Sequence, residues 1–191
     1  MSKREMYIVT DVKINGPTPG RYSMLSFASV ACTMPEYIFE GNYTENLSLL
    51  RDAQEDPIFK EVWEREPKKW ENCRKDCLDP EEAMIAYRIW LENLGKRYKL
   101  RFASMSLGTA FAFITYYLER FTTKSMFKNG IDIGSYLMAR NKKPYDQAVK
   151  GILRDWIPEN NIPVGSLKDA DKAAHILCRI TRSNNGDGWF S

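Results

Sequence analysis

Thr10-Asp11-Val12-Lys13-Ile14-Asn15-Gly16-Pro17-Thr18-Pro19-Gly20 is the stretch on which the fold turns, with Tyr22-Ser23-Met24-Leu25-Ser26-Phe27-Ala28 close behind it. Its first half continues a largely β-branched run, which predicts a strand over Met6–Val12. Its second half is rich in glycine and proline and fits neither helix nor central strand, so it reads as a rigid loop. A second strand is expected over Ser23–Cys32 and a third over Glu36–Tyr43, and the short links between the three imply an antiparallel meander. Side chains alternate along a strand, so Tyr7, Val9, Asp11 and Lys13 share one face. Asp11 and Lys13 therefore project together from the strand's end, at the mouth of the loop. A lone aspartate there is more often a turn former than a functional acid, and its neighbours must decide.

Downstream the character changes at Pro57. The charged segment from Pro57 to about Lys75 carries Phe59, Val62, Trp63 and Trp70 at spacings that predict one or two amphipathic helices. Asp79-Pro80-Glu81-Glu82 is a helix start, with Asp79 as N-cap and Pro80 at the first position. Ala83, Met84, Tyr87, Trp90, Leu91 and Leu94 form its apolar stripe, and Gly95 is expected to stop it. A fourth strand follows over Lys99–Ser104, then an aromatic-rich helix from Ser106 to Phe121. Short helices are expected over Ile131–Ala139 and Tyr145–Trp156. Leu167, Ala170, Ala173, Ala174, Leu177 and Ile180 mark a last amphipathic helix. Strands first, then helices interleaved with strand, define an α/β domain: a central mixed five-stranded sheet, its first three strands antiparallel, flanked by helices over residues 1–182. Residues 183–191 read as a tail flexible by composition, in which Trp189 and Phe190 could dock on the body or on a partner.

Composition narrows the classes. The chain has 191 residues, 43% of them hydrophobic, enough for a sizeable core and too many for a disordered chain. No apolar run approaches the roughly 18 residues that cross a bilayer, and the first residues carry no signal-peptide pattern. A soluble, cytoplasmic protein with no membrane association is the expectation. Cys73 and Cys77 sit four apart in an expected helix and could face one metal, but with His175 the sole histidine, free thiols are the better reading. The net charge of +3 is too mild to demand a polyanion partner. Two local clusters are more suggestive, Lys96, Arg97, Lys99 and Arg101 in one and Arg140, Lys142 and Lys143 in the other. Solvated edge charge explains them as readily as a nucleic-acid track. The aromatics Phe111, Phe113, Tyr116, Tyr117 and Phe121 could stack bases, although helical spacing favours a core role.

The block from Thr10 to Ala28 resembles the opening of a bacterial and phage 3′–5′ exoribonuclease family, one of the DEDDh exonucleases on a ribonuclease-H-like fold. The resemblance continues through Pro67-Lys68-Lys69-Trp70 with Cys73-Arg74, Pro80-Glu81-Glu82-Ala83-Met84 with Trp90-Leu91, and Phe111 to Leu118. It returns in Ile131-Asp132-Ile133-Gly134-Ser135-Tyr136 and in Leu167-Lys168-Asp169-Ala170. It implies an active site of four carboxylates and one histidine. Asp11 matches the first acid of the family's Asp-x-Glu, but the second position is Lys13. Anchoring on Tyr116-Tyr117-Leu118 places Ala110 where the aromatic-rich helix should carry an aspartate. The last motif ends correctly in Asp169, while the general-base histidine is replaced by Val164. Asp132 matches an acid that reads as a local hydrogen-bonding position, and His175 is out of register for the lost base.

Such enzymes are thought to use two divalent cations about 4 Å apart, which several anionic oxygens must hold. Two carboxylates and one ammonium leave a formal charge near −1 where four acids carry about −4. A lysine 4 Å from a divalent ion costs on the order of 8 kcal/mol at an effective dielectric of about 20. No intact catalytic set and no bound metal are therefore expected. The resemblance then implies a catalytically degenerate relative, a non-hydrolytic binding or regulatory protein acting on nucleic acid or on a protein partner. Single-stranded nucleic acid or a 3′ end would contact Lys13, Lys96, Arg97, Lys99 and Arg101. Lys13 has two readings: a surface lysine at a strand end, or an ammonium that stands in the vacated metal position and pairs with Asp11 or Asp169. Two alternatives stay open: a residual exonuclease holding Mg²⁺ or Mn²⁺ on Asp11 and Asp169, and a viral or mobile-element factor that binds a host complex. Relatives of this kind often dimerise, so a homodimer is among the implied assemblies, with Trp63, Trp70 and Trp90 suited to core or interface.

Overall fold

The computed structural model describes residues 3–152, 156–157 and 165–183. The expected meander is present as β1 (Glu5–Ile14), β2 (Met24–Cys32) and β3 (Phe39–Asn46). β1 pairs antiparallel with β2, Asp11 opposite Ala28 and Lys13 opposite Ser26, and β2 pairs antiparallel with β3. On the other side β1 pairs parallel with β4 (Lys99–Ser104), which pairs parallel with β5 (Gly130–Asp132). The sheet order is β3-β2-β1-β4-β5, a mixed five-stranded sheet. β2 is buried along all nine residues because it lies between two strands and under helices on both faces.

Alternation along β1 divides the core in two. Met6 and Ile8 point to the face covered by α3 (Pro80–Arg97) and α4 (Leu107–Thr122), where Phe27, Tyr87, Phe102, Phe113 and Tyr117 fill the interior. Val9 points to the opposite face, against α5 (Ile133–Asn141), α6 (Tyr145–Lys150) and α7 (Ser166–Ser183). Two short helices, α1 (Pro57–Glu64) and α2 (Pro67–Arg74), sit between β3 and α3 in sequence.

Local signals account for most helix starts. Asp79 caps α3 by accepting from Glu81 N–H at 2.9 Å, and Asp56 caps α1 through Ile58 N–H and Phe59 N–H. Several boundaries differ from expectation. α3 runs through Gly95 to Arg97, since Leu91 and Leu94 are buried and packing outweighs the weak helix propensity of one glycine. Ile131 and Asp132 belong to β5, and the helix begins only at Ile133. The third strand starts three residues late, at Phe39, and α6 ends at Lys150. α2 stops at Arg74 and Asp76 is left-handed (φ 51°), so Cys77 does not share a helix with Cys73. Cys73 is buried and Cys77 rests its thiol near the Cys73 carbonyl. Val164 and the tail beyond Ser183 lie outside the described residues. Among the described residues, no helix is long and apolar enough to cross a membrane.

Candidate functional site

The register of β1 creates the site. Its parallel pairing with β4 ends at Val9 opposite Ala103, so Asp11 and Lys13 extend past the β4 edge with β2 on one flank only. That position, beyond the carboxyl end of a parallel pair, is where open α/β sheets leave a crevice. α7 closes the crevice from the Val9 face. Its start is pinned to β2 by a hydrogen bond between the Ser166 and Ser26 hydroxyls (3.0 Å), which puts Asp169 in the helix's first turn over the end of β1.

The three charged residues meet there. Lys13 Nζ donates to Asp169 Oδ2 at 2.7 Å and lies 2.8 Å from Asp11 Oδ2. The second contact is ionic and off the hydrogen-bond line, and Asp11 Oδ2 is buried without a hydrogen-bond donor among the described residues. Burial raises the Asp11 carboxyl to about 6, against the opposing pull of Lys13 and with a smaller push from the Asp169 charge. The two carboxylates hold Lys13 charged, raising its pKa despite partial burial. An ammonium thus stands within 3 Å of both acids, and its charge opposes the binding of a divalent cation there. Among the described residues, no three acid, histidine or cysteine side chains converge as a ligand group. The described residues do not fit a pair of divalent cations, which several anionic oxygens must hold.

Two clefts flank the triad. One, of about 380 Å³, is lined by Thr10, Asp11, Met105, Ile152, Asp169 and Ile176. The other, of about 500 Å³, opens between α2 and the start of α7. Among the described residues, Lys13, Lys69, Lys168 and Lys172 line it against two carboxylates, Glu66 and Asp169, with Trp63 and Cys73 as apolar wall. Lys69 pairs with Glu66 at 3.0 Å and Lys172 stands 3.9 Å from Asp169. This lysine group went unnoticed in the sequence because its members come from β1, α2 and α7, and its signal was only the Lys-x-x-x-Lys spacing of 168 and 172 on one helix face.

The other predicted residues lie elsewhere. Ala110 is buried in the core on the α3–α4 face and lines neither of these clefts, whereas Ala112 of the same helix is half-buried. Lys96, Arg97, Lys99 and Arg101 gather at the opposite end of the sheet. Arg101 is in register with Tyr7, four residues and about 13 Å of strand before Asp11. Arg101 and Arg97 are engaged by Glu5 and Glu40, and Lys96 by Asn93. The structure does not join this cluster to Lys13. Asp132 caps two helices, accepting from Ser135 N–H (2.6 Å) and Leu107 N–H (3.0 Å). Phe113 and Tyr117 are core, and the Tyr117 hydroxyl accepts from Met24 N–H at 2.7 Å. His175 stacks on Tyr37 at 4.0 Å beside the buried Asp171, which accepts from the Tyr37 hydroxyl.

No family model matches the chain. A 3′–5′ DNA exonuclease, Cap18 of Escherichia coli, is 27% identical over 117 residues, 61% of this chain and 58% of that protein. The chain thus aligns with little more than half the length of that relative. Among solved structures, the nuclease domain of 3′hExo, a DEDDh family member bound to rAMP, superposes with a TM-score of 0.63 at 13% identity, covering 94% of this chain and 92% of that one. The Mg²⁺- and Mn²⁺-bound form of S. pombe Pop2p gives 0.64 at 13% identity over 99% and 86%. The chain is thus similar in sequence to a 3′–5′ DNA exonuclease over part of its length and shares the fold of the ribonuclease-H-like 3′–5′ exonucleases.

Proposed function

We propose that this chain is a non-hydrolysing relative of the exonucleases, which holds the phosphates of a single-stranded nucleic-acid end in the lysine-lined cleft without a metal. The bridging of Asp11 and Asp169 by Lys13 carries this reading. One internal ammonium compensates half of the two carboxylates' charge that would repel a phosphate. Lys69, Lys168 and Lys172 then bias the cleft towards anions. With an ammonium in place of divalent cations, the described residues supply no Lewis acid to lower the pKa of an attacking water.

Two measurements on the full chain test it. Incubation of short single-stranded RNA and DNA with Mg²⁺ or Mn²⁺ should leave both intact. Binding of the same strands should weaken steeply with salt, because phosphate contacts release counterions, and Lys168→Ala with Lys172→Ala should weaken it further. Shortening from the 3′ end that Asp11→Ala abolishes would overturn the proposal in favour of a residual exonuclease. Salt-insensitive binding would point to a protein partner instead.

A further inference from the structure

Trp63 is a wall shared by two cavities of opposite character. On one side is the lysine-lined cleft. On the other is a cavity of about 250 Å³ between α1 and α2, mostly apolar, walled by Trp63, Trp70, Pro67 and Asn15. The two indoles approach at 5.7 Å with their planes inclined by 54°. Trp63 is held in place from below, its indole N–H donating at 2.9 Å to the carbonyl of Ile14, the last residue of the triad's strand. The hairpin is also tied down by Asp56 N–H on the Asn15 carbonyl and by the Arg74 guanidinium on the Leu47 carbonyl. This leaves an aromatic slot on a fixed frame.

The slot's rim is polar. Glu55 pairs with Lys60 at 3.3 Å, and Glu64 adds an acceptor at the exposed edge. Its volume is small beside the 300–1,000 Å³ or so of an ordinary small-molecule site, which suits one planar ring and not a whole nucleotide. Inclined indoles offer a stacking face, and stacking on an aromatic side chain tolerates any base. The neighbouring cleft supplies cations within reach of the same ligand's backbone.

We infer that the α1–α2 slot takes a nucleobase, so that a single strand with its end phosphates among Lys13, Lys168 and Lys172 crosses Trp63 and seats an adjacent base against Trp70. This rests on the proposed phosphate-holding cleft and extends it: the ligand is a strand of at least two nucleotides, and neither a free phosphate nor a mononucleotide suffices. The bases carry part of the affinity without sequence readout, while the lysines carry the salt dependence.

The test compares a tetrathymidylate strand with an abasic tetramer of the same phosphate spacing, titrated into the full chain and followed by tryptophan fluorescence and by calorimetry. The tetrathymidylate should bind about 10-fold more tightly than the abasic strand. Trp70→Ala should remove that difference and leave the abasic strand's affinity unchanged, and Trp70→Phe, which keeps a ring and guards against a folding defect, should retain most of it. Equal affinity for the two strands, or a Trp70→Ala variant that still prefers the bases, overturns the inference while leaving the phosphate cleft intact, provided both strands remain salt- and Lys168-dependent. If neither strand binds, the cleft reading falls together with this one. Trp70-dependent binding of a trimethyllysine peptide instead would assign the slot to a cation and also overturn it.

Discussion

Lys13 Nζ and Asp169 Oδ2 stand 2.7 Å apart across 156 residues of sequence, joining the end of the central strand to the first turn of the last described helix. A single ammonium therefore links these two elements through Asp11 and Asp169. Removing it as Lys13→Met leaves Asp11 and Asp169 facing each other without a counter-charge. We expect a loss of about 1–2 kcal/mol in urea unfolding at pH 7, below the cost of breaking a fully buried pair because the group is partly solvated. An unchanged midpoint would mean that the bridge contributes nothing.

Replacing the ammonium by a carboxylate reverses the sign of the site. Lys13→Glu gathers three acids and should destabilise the protein on its own. It should also make the melting temperature rise by a few degrees with millimolar Mn²⁺, because an ion that binds only the folded state stabilises it. The unaltered chain should show no such rise. A Mn²⁺ response in both would contradict the reading of Lys13 as occupant of the metal position.

The Asp11 carboxyl sets a pH dependence. Its pKa in the fold, about 6, lies above the ordinary value of 3.8, so between those pH values the folded state binds the more protons. Stability is then favoured below about pH 4 by this group and falls as pH rises towards 6, flattening above. Asp11→Asn should abolish that component, visible as the difference between the two proteins' unfolding free energies plotted against pH. A parallel pair of curves would refute it.

The Tyr37–Asp171–His175 group should contribute stability with the opposite slope. Burial is the largest influence on His175 and holds its pKa below 6.5, partly opposed by Asp171. The folded state therefore resists protonation, and stability from this residue is lost as pH falls below 6.5. Tyr37→Phe strips the buried Asp171 of a 2.8 Å donor and should cost about 1–3 kcal/mol in thermal or urea unfolding.

The loop after β1 holds its shape through Gly16, where an added Cβ would collide with the Tyr22 ring. Gly16→Ala should cost about 1–3 kcal/mol by overpacking. It should weaken strand binding as well, since the next contacts of this loop position Trp63. Lys96→Ala with Arg97→Ala, at the far end of the sheet, should leave strand binding unchanged within twofold.

Much of the scaffold was legible because it is written locally. Alternation on β1, the Gly-Pro loop and the Asp79-Pro80 cap each depend on a few adjacent residues, and each is where it was expected. The misplaced boundaries, Gly95 and Ile131–Asp132, are positions where packing or strand pairing overrides local preference. The candidate site divides the same way. Asp11 and Lys13 share a strand face by alternation alone, so their proximity was available from the sequence. The basic cluster at Lys96–Arg101 was attractive for its density, yet parallel pairing of β4 with the start of β1 carries it away from Asp11 and gives it Glu5 and Glu40 as partners.

By itself the sequence determined which charged groups share a strand face, Asp11 and Lys13, and that Asp169 opens the last amphipathic helix. Only the tertiary structure decided that the lysine reaches both acids, and that Lys69, Lys168 and Lys172 join it beside Trp63 in one cleft. The physical reason is range. Side-chain alternation acts over two residues and is fixed by backbone geometry, whereas a charge cluster drawn from β1, α2 and α7 exists only once strand pairing and the burial of α7 have brought distant segments within a few ångströms.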